Sequence, residues 1–549
     1  MKGVRHIDTM KWGDDHAKVS GIPGDACSER PDPESFDLIR TASLESAAMV
    51  HDFLIKSARD NANKIALVQG TEKYTYSEVL AGSYQVARFL QSVGVNQGDR
   101  IGILLNNSFE YVVSYYGSLI AGATTVPMNT GITPDGMADI VTTSDAKILF
   151  TEKRYHGHLK RLRDVFVVSK DALNGEPGAK TIRFDEIYSG FADCEVDVPN
   201  DPECFASIIF TSGSTGKPKG VILTHRNIVA NTRSIVEYLS LSCNDRIMVV
   251  LPFFYVYGKS LLNTHFSVGG TVIIDNRFLF PNAILETMVR EDATGFAGVP
   301  STFMILLDKS SIRSFQFSTL RYVTQAGGAM SPAVIKRVAE VFADKQVFIM
   351  YGATEASARL TYLDPARLYE QLGSVGKAIP GVQVDIRRVD GRSAAPGEIG
   401  EIVAYGENIM KGYWKDPEAT DRALSGGGYH TGDLAFMNSE GFIYLVGRKD
   451  DIMKIGGYRV SAKSIEDVLY EMPEIHEAAV VGVADEVLGQ APHAFIVLMD
   501  GCSLSADQVT EYCLSRLTSY EVPRRVSFIK DLPKNSSGKI MKNLLKSEE

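Results

Sequence analysis

Paired cysteines, long apolar runs and surplus positive charge are all missing from this chain of 549 residues. Its six cysteines, Cys27, Cys194, Cys204, Cys243, Cys502 and Cys513, form no CxxC pair and none of the Cys/His spacings that zinc requires. A disulfide-stapled scaffold is excluded, and reduced thiols in a cytoplasmic protein are expected. The opening segment, MKGVRHIDTMKWGDDHAKVSGIPGD, carries charge throughout and has no apolar centre, so it does not read as a secretory signal. The longest uncharged stretch lies between Glu110 and Asp135. Ser114, Gly117, Ser118, Thr124, Thr125, Pro127 and Asn129 interrupt it, so it reads as a helix followed by a buried strand rather than a membrane span. Acidic residues outnumber basic ones, 67 to 57, for a net charge of −10. Such a chain is not built to coat nucleic acid or an anionic membrane, and any anionic ligand must be met by local positive charge.

What is present is an enzyme-like composition, 44% hydrophobic and 23% charged. At roughly 150 residues per domain the length allows three or four domain-sized pieces. Residues 1–45 are polar and read as a loosely packed extension. After them helical and strand patterns alternate. A helix is expected over SLESAAMVHDFLIKSARDNAN after a Ser cap, and another from the Ser77 start of SEVLAGSYQVARFLQSVGV. The strands RIGILL, RIMVVLPF, GTVIID and QVFIMYG are uniformly apolar, which fits mostly parallel sheets covered by helices. The expected fold is α/β: mostly parallel sheets covered by helices, then a linker at 448–451 and, in roughly the last hundred residues, a small α+β domain. Sheets of this kind bind ligands at the carboxyl ends of their strands.

One loop carries chemistry by composition. Thr211, Ser212, Gly213, Ser214, Thr215, Gly216 and Lys217 follow the apolar strand FASIIF and lead into Pro218-Lys219-Gly220. Three glycines let backbone N–H groups approach a phosphate, hydroxyls add donors, and two lysines add charge. Pro218 stands where a Walker loop needs Ser or Thr, so this is a different phosphate loop.

The segment resembles the signature of the AMP-forming adenylating superfamily, which includes acyl- and aryl-CoA synthetases, stand-alone adenylation domains and firefly-type luciferases. The family's other motifs follow in order. Tyr351-Gly352-Ala353-Thr354-Glu355 resembles YGxTE, and Tyr429-His430-Thr431-Gly432-Asp433 resembles TGD. Gly447-Arg448-Lys449-Asp450 resembles the hinge motif, and Pro533 to Ile540, containing Lys539, resembles the terminal lysine motif. The resemblance spans about residues 45–549, and it implies one large N-terminal body with a small β subdomain, 46–447, a hinge, 448–451, and a small mobile α+β C-terminal domain, 452–549. It implies that the 211–220 loop holds the β- and γ-phosphates of ATP, that Tyr351 stacks on adenine beside Gly352, and that Thr354 meets the α-phosphate. It implies Glu355 as the Mg²⁺ ligand, consistent with a cation that keeps waters and phosphate oxygens around few carboxylates. Asp433 and Arg448 would bind the ribose. Lys539 would bridge the carboxylate and the α-phosphate. Asp450 would be the hinge about which the small domain turns, presenting Lys454, Gly456 and Gly457 to the pantetheine arm of CoA or of a carrier protein. Gly456-Gly457 also reads as a tight β-turn.

LPFFYVYG, residues 251–258, resembles the segment that gates the acyl site, with Tyr255 where His is commoner. Val256 occupies the position at which amino-acid-activating members carry Asp, so an α-ammonium group would go unpaired and an α-amino acid is disfavoured. Val299, Gly327 and Gly328 would line the pocket. Lys259 and Arg359 are two further cations: members of structural ion pairs, side chains reaching toward solvent, or partners for a second anionic group on the substrate, with Lys259 facing the acyl pocket. Ala462 stands where the family usually has Pro.

The leading expectation is ATP- and Mg²⁺-dependent activation of a small-molecule carboxylate, followed by transfer to CoA, by a monomer or homodimer without nucleic-acid partners. The alternatives are loading of an acyl carrier protein, luciferase-like oxidation, for which no residue argues, and a non-catalytic carboxylate or nucleotide binder. The last should have lost Lys539, Glu355 or Asp433, and all three are present.

Overall fold

The structure, a computed structural model, describes residues 47–546 except 163–164, 172–179, 199, 213–217, 535–537 and 539. The N-terminal extension, the loop residues Gly213, Ser214, Thr215, Gly216 and Lys217, and Lys539 therefore lie outside the described residues.

Two large sheets form the body. One has nine strands, and its central six, Gln346–Tyr351, Tyr322–Gln325, Gly295–Gly298, Arg246–Val249, Thr271–Ile274 and Ile65–Gln69, run parallel in that spatial order. The other has eight strands, with Arg100–Leu104 lying between Thr124–Pro127 and Ala146–Thr151 in parallel register. Most positions of these strands are buried on both faces because helices cover the sheets, which removes the alternation an open sheet would show. Phe109–Ile120 is the helix expected in the uncharged stretch, and Thr124–Pro127 is the buried strand that follows it. Ser108 starts that helix by accepting from the Tyr111 N–H at 3.2 Å.

The next helix boundary differs from expectation. Tyr76–Ser92 is opened by Thr75, not Ser77, through a reciprocal capping box with Glu78. The first described helix is likewise shorter than its pattern, Asp52–Asp60. Asp52 there accepts from the backbone N–H groups of Ala48 and Met49, both at 2.9 Å.

A four-stranded antiparallel sheet of Val382–Arg387, Gly400–Gly406, Tyr429–Met437 and Ile443–Arg448 makes the β subdomain. A short helical turn, Lys449–Asp451, leads out of it. Beyond lie a hairpin of Ile452–Ile455 and Tyr458–Ser461, the helix Ala462–Leu469, and a three-stranded sheet. In that sheet Ile475–Asp485 and Gly489–Leu498 are antiparallel, and Arg525–Phe528 joins parallel. Gly456 and Gly457 form the hairpin's two-residue turn, with φ of +55° and +91°, a left-handed pair suited to glycine. Ala462 is the first residue of its helix and Ser461 caps it, accepting from the Lys463 N–H at 3.1 Å. Pro favours that first position for the same geometry, so the departure from the family pattern leaves the local fold unchanged. The architecture is the α/β body and smaller α+β unit that the sequence led us to expect. No helix among the described residues is long and apolar enough to cross a membrane.

Candidate active site

The candidate residues gather where strands of both large sheets end beside the β subdomain. Tyr351 is the last residue of a central parallel strand, and its hydroxyl donates to Asp433 Oδ2 at 2.6 Å. Burial, then the Asp433 charge, pushes the Tyr351 phenol well above its ordinary pKa, so it remains a donor. Asp433 and Arg448 are direct cross-strand partners in the β subdomain. The Arg448 Nε lies 3.6 Å from Asp433 Oδ1, and its Nη2 donates to the Thr431 carbonyl at 3.3 Å. Burial works against the Arg448 charge, but Asp433 heads the opposing influences and the net shift is upward. Sheet register thus fixes a carboxylate acceptor and a guanidinium donor side by side.

Thr354 and Glu355 lie on one helical turn directly after this strand. The chain then bends back through Ser357 and Ala358, at φ of +57° and +123°. Ala358 is a non-glycine residue in a sparsely populated region, a strain held by its surroundings. Gly352 permits the fold-back: a Cβ there would come within 2.0 Å of the Ala358 carbonyl oxygen. Tyr413 donates to Glu355 Oε1 at 2.8 Å, and the Glu355 carbonyl accepts from the Met410 N–H at 2.7 Å. Lys219 lies 5.2 Å from the centre of the Tyr413 ring. Lys219 faces Thr211, and Pro218 faces Ser212, across the antiparallel pair Phe205–Ser212 and Pro218–Thr224 that carries the phosphate-type loop. A single oriented carboxylate suits Mg²⁺, which keeps waters and phosphate oxygens around few protein ligands, and no cluster of three or more metal-ligating side chains occurs among the described residues.

The pocket segment is organised around Val299. Gly327 and Gly328 follow the strand Tyr322–Gln325, and the Gln325 side-chain amide donates to the Gly328 carbonyl at 2.8 Å. A Cβ on Gly327 would lie 3.0 Å from Val299, and one on Gly328 would lie 3.2 Å from Pro300. On the other side, Gly538 at φ +77° packs so closely that a Cβ would meet Ser301 Oγ at 2.4 Å and Val299 at 3.4 Å. The terminal motif is therefore seated against the body at Gly538, and it is closed on itself by a Lys534–Ile540 bridge and a Met541 N–H donated to the Pro533 carbonyl. His476 Nδ1, 2.6 Å from Asp308, is a second tie between the two parts, and Arg337 shares Asp308.

Tyr255 precedes the helix Val256–Ser267 and stacks at a tilt on Phe254, 4.5 Å between ring centres. Val256 is partly buried against the main core. Arg359 is buried with its guanidinium 3.9 Å from the centre of the Tyr257 ring, and it donates to the Ala358 carbonyl. Lys259 is 3% exposed, and its ammonium has no hydrogen-bond partner among the described residues. Asp450 lies exposed in the turn after Arg448. Lys454 and Gly456 are held on the far hairpin by backbone bonds to Gln490 and Leu488, within the C-terminal unit. Sequence reasoning missed Tyr413, which orients Glu355. It lies in the tripeptide Gly412-Tyr413-Trp414, and no spacing links it to residue 355.

A family model described as AMP-binding enzyme matches residues 54–414, and one described as AMP-binding enzyme C-terminal domain matches residues 464–539. The chain belongs to the AMP-binding enzyme family. Relatives within it include a long-chain-fatty-acid–CoA ligase of Bacillus subtilis (strain 168), 32% identical over 91% of this chain and 94% of the relative. A feruloyl-CoA synthase of Amycolatopsis sp is also 32% identical, over 89% and 96%. Among solved structures, the anthranilate CoA ligase AuaEII in complex with anthranoyl-AMP superposes with a TM-score of 0.84 at 26% identity, covering 92% of this chain and 98% of that one. The AMP-binding enzyme o-succinylbenzoate CoA synthetase from Bacillus subtilis, in complex with ATP and magnesium ion, gives a TM-score of 0.80 at 29% identity, covering 90% and 99%.

Proposed function

We propose that this chain is an AMP-forming acid–thiol ligase. A carboxylate oxygen attacks the α-phosphorus of ATP, pyrophosphate leaves, and the acyl-AMP then passes its acyl group to the thiol of CoA, releasing AMP. The observation that carries the residue assignment is the convergence of Tyr351, Asp433 and Arg448 with Glu355, Tyr413 and Lys219 at the strand ends.

In this reading Tyr351 lies along adenine while its hydroxyl steadies Asp433, which accepts from the ribose hydroxyls because a carboxylate only accepts. Arg448 donates to the same sugar. Thr354 meets the α-phosphate. The 211–217 loop and Lys219 hold the leaving phosphates. Glu355, oriented by Tyr413, would hold Mg²⁺, which when bound neutralises phosphate charge. Lys539, one residue beyond the packed Gly538, would bring positive charge between two anions that otherwise repel, the kind of fixed electrostatic help worth about 10²–10³ in rate. Val299, Gly327 and Gly328 would line the acyl pocket under Tyr255 and Val256. Rotation at Asp450 would bring Lys454, Gly456 and Gly457 to the thiol's path.

The test is pyrophosphate release across short-chain, long-chain and aromatic acids, first without thiol, then with CoA or a holo acyl carrier protein. Release without thiol and thioester formation with CoA are expected. Release with a thioester formed only on the carrier protein would replace CoA as acceptor. No release with any acid would return the chain to a binding role.

A further inference from the structure

Lys259 is a cation that the adenylation chemistry leaves unused. It lies one turn after Val256 on the helix Val256–Ser267, so both project from one face, about 4.5 Å apart along the axis. Its ammonium sits 4.5 Å from the centre of the Tyr115 ring and 5.8 Å from that of Tyr111. Aromatic faces attract the charge but accept none of its three N–H bonds, and no acceptor among the described residues reaches it. The phenols and the amide around it already have partners. Tyr111 donates to the Phe253 carbonyl at 2.9 Å, Asn263 donates to the Tyr115 hydroxyl at 3.4 Å, and Tyr116 donates to Asn263 Oδ1 at 3.2 Å. Arg359, the other buried cation beside this helix, is engaged by Ala358 and Tyr257. Ser114 and Ser118, on the helix that carries both tyrosines, also keep buried hydroxyls without a partner among the described residues, but Lys259 is the one charged group so placed, and a buried unpaired charge costs most.

Resting on the acid–thiol ligase reading, we propose that Lys259 is a specificity-determining residue and that the acid activated here carries a second carboxylate, which Lys259 receives about one helical turn below Val256. The tyrosine faces then form the floor of a subsite that holds the ammonium without competing for its donors. A singly charged acid of the same length would leave those donors unmet and gain only apolar contact.

The experiment compares dicarboxylic acids with monocarboxylic acids of equal chain length in pyrophosphate release, for the wild type, Lys259→Met and Lys259→Gln. The wild type should favour the diacid by about 10²-fold in kcat/KM, the loss seen when a site's buried polar group goes unpaired. Both variants should lose that preference while still turning over the monoacid. The pH profile supplies an independent readout. Burial alone lowers the Lys259 pKa from 10.5 to about 7, and no charged group from any packed element counters it. The facing phenols Tyr111 and Tyr115 are pushed upward by burial and stay neutral. Binding of the second carboxylate above pH 7 must then take up a proton, so KM for the diacid should rise about tenfold per pH unit while that of the monoacid does not follow it. Turnover of monoacids with equal or lower activity on diacids overturns the assignment and leaves the ligase reading intact. No release with any acid overturns both.

Discussion

Replacing Lys259 by Met should stabilise the unliganded protein, by an amount that depends on pH. The side chain is 3% exposed, and among the described residues its ammonium meets two aromatic faces and no acceptor. A pKa drawn from 10.5 down to about 7 means that folding disfavours the charged form, and at about 1.4 kcal/mol per unit the penalty is roughly 5 kcal/mol. Attraction to the tyrosine faces returns about 2 kcal/mol. Met has nearly the same length and volume, so it opens no cavity and keeps the packing. A gain of about 2–4 kcal/mol is expected at pH 6, where both folded and unfolded chains carry the proton and the penalty is complete. Between pH 7 and 10.5 the unfolded chain holds the proton and the folded chain has released it, so wild-type stability rises with pH relative to the variant. The advantage of Met should therefore shrink from pH 7 upward and be mostly gone near pH 10. Urea unfolding of both proteins at pH 6, 7.5 and 9, followed by tyrosine fluorescence and circular dichroism, reads this directly. Because every other titrating group is common to both chains, the difference isolates Lys259. A variant less stable than wild type at pH 6, or a gap that does not change with pH, would refute the reasoning.

Three further perturbations probe the site. Gly538→Ala forces a Cβ to within 2.4 Å of Ser301 Oγ. It should slow pyrophosphate release by about 10–10²-fold, through misplacement of the terminal motif, while thioester formation from supplied acyl-AMP persists in single-turnover assays. Gly352→Ala drives a Cβ to within 2.0 Å of the Ala358 carbonyl. A stability loss of about 1–3 kcal/mol is expected by urea unfolding, with weakened ATP binding, and an unaltered variant would show that the fold-back relaxes freely. Tyr413→Phe removes the 2.8 Å hydrogen bond to Glu355. The Mg²⁺ concentration for half-maximal pyrophosphate release should rise by about threefold to tenfold, as loss of a hydrogen bond to a charged group implies, with KM for the acid unchanged.

Much of the architecture was open to inspection in the sequence because its physical signals are local. RIGILL and QVFIMYG read as buried parallel strands from composition alone, and the Gly456-Gly457 turn follows from residue type. Helix starts were less legible. Ser77 and Thr75 are equally good caps by type, and the choice of Thr75 depends on Glu78 reaching back to it. Long-range pairings left no local trace at all. Nothing near residue 413 announces residue 355, and the seating of Gly538 on Val299 and Ser301 exists only once the C-terminal unit has docked. Lys259 was visible as an oddity, but its lack of an acceptor is a property of the folded core.

Arg448 ends its strand, and the turn Lys449–Asp451 begins at the next residue. In the proposed reading the sugar grip and the swivel would thus be consecutive in the chain, with the grip on the stationary side. An arm turning about a point sweeps its far end widely and its near end hardly at all. A turn at Asp450 would carry Gly538 far from Val299 while Arg448 stays beside Asp433 in the sheet. The activated intermediate could then remain clasped through the exchange of catalytic faces, which limits its escape to water between the two steps.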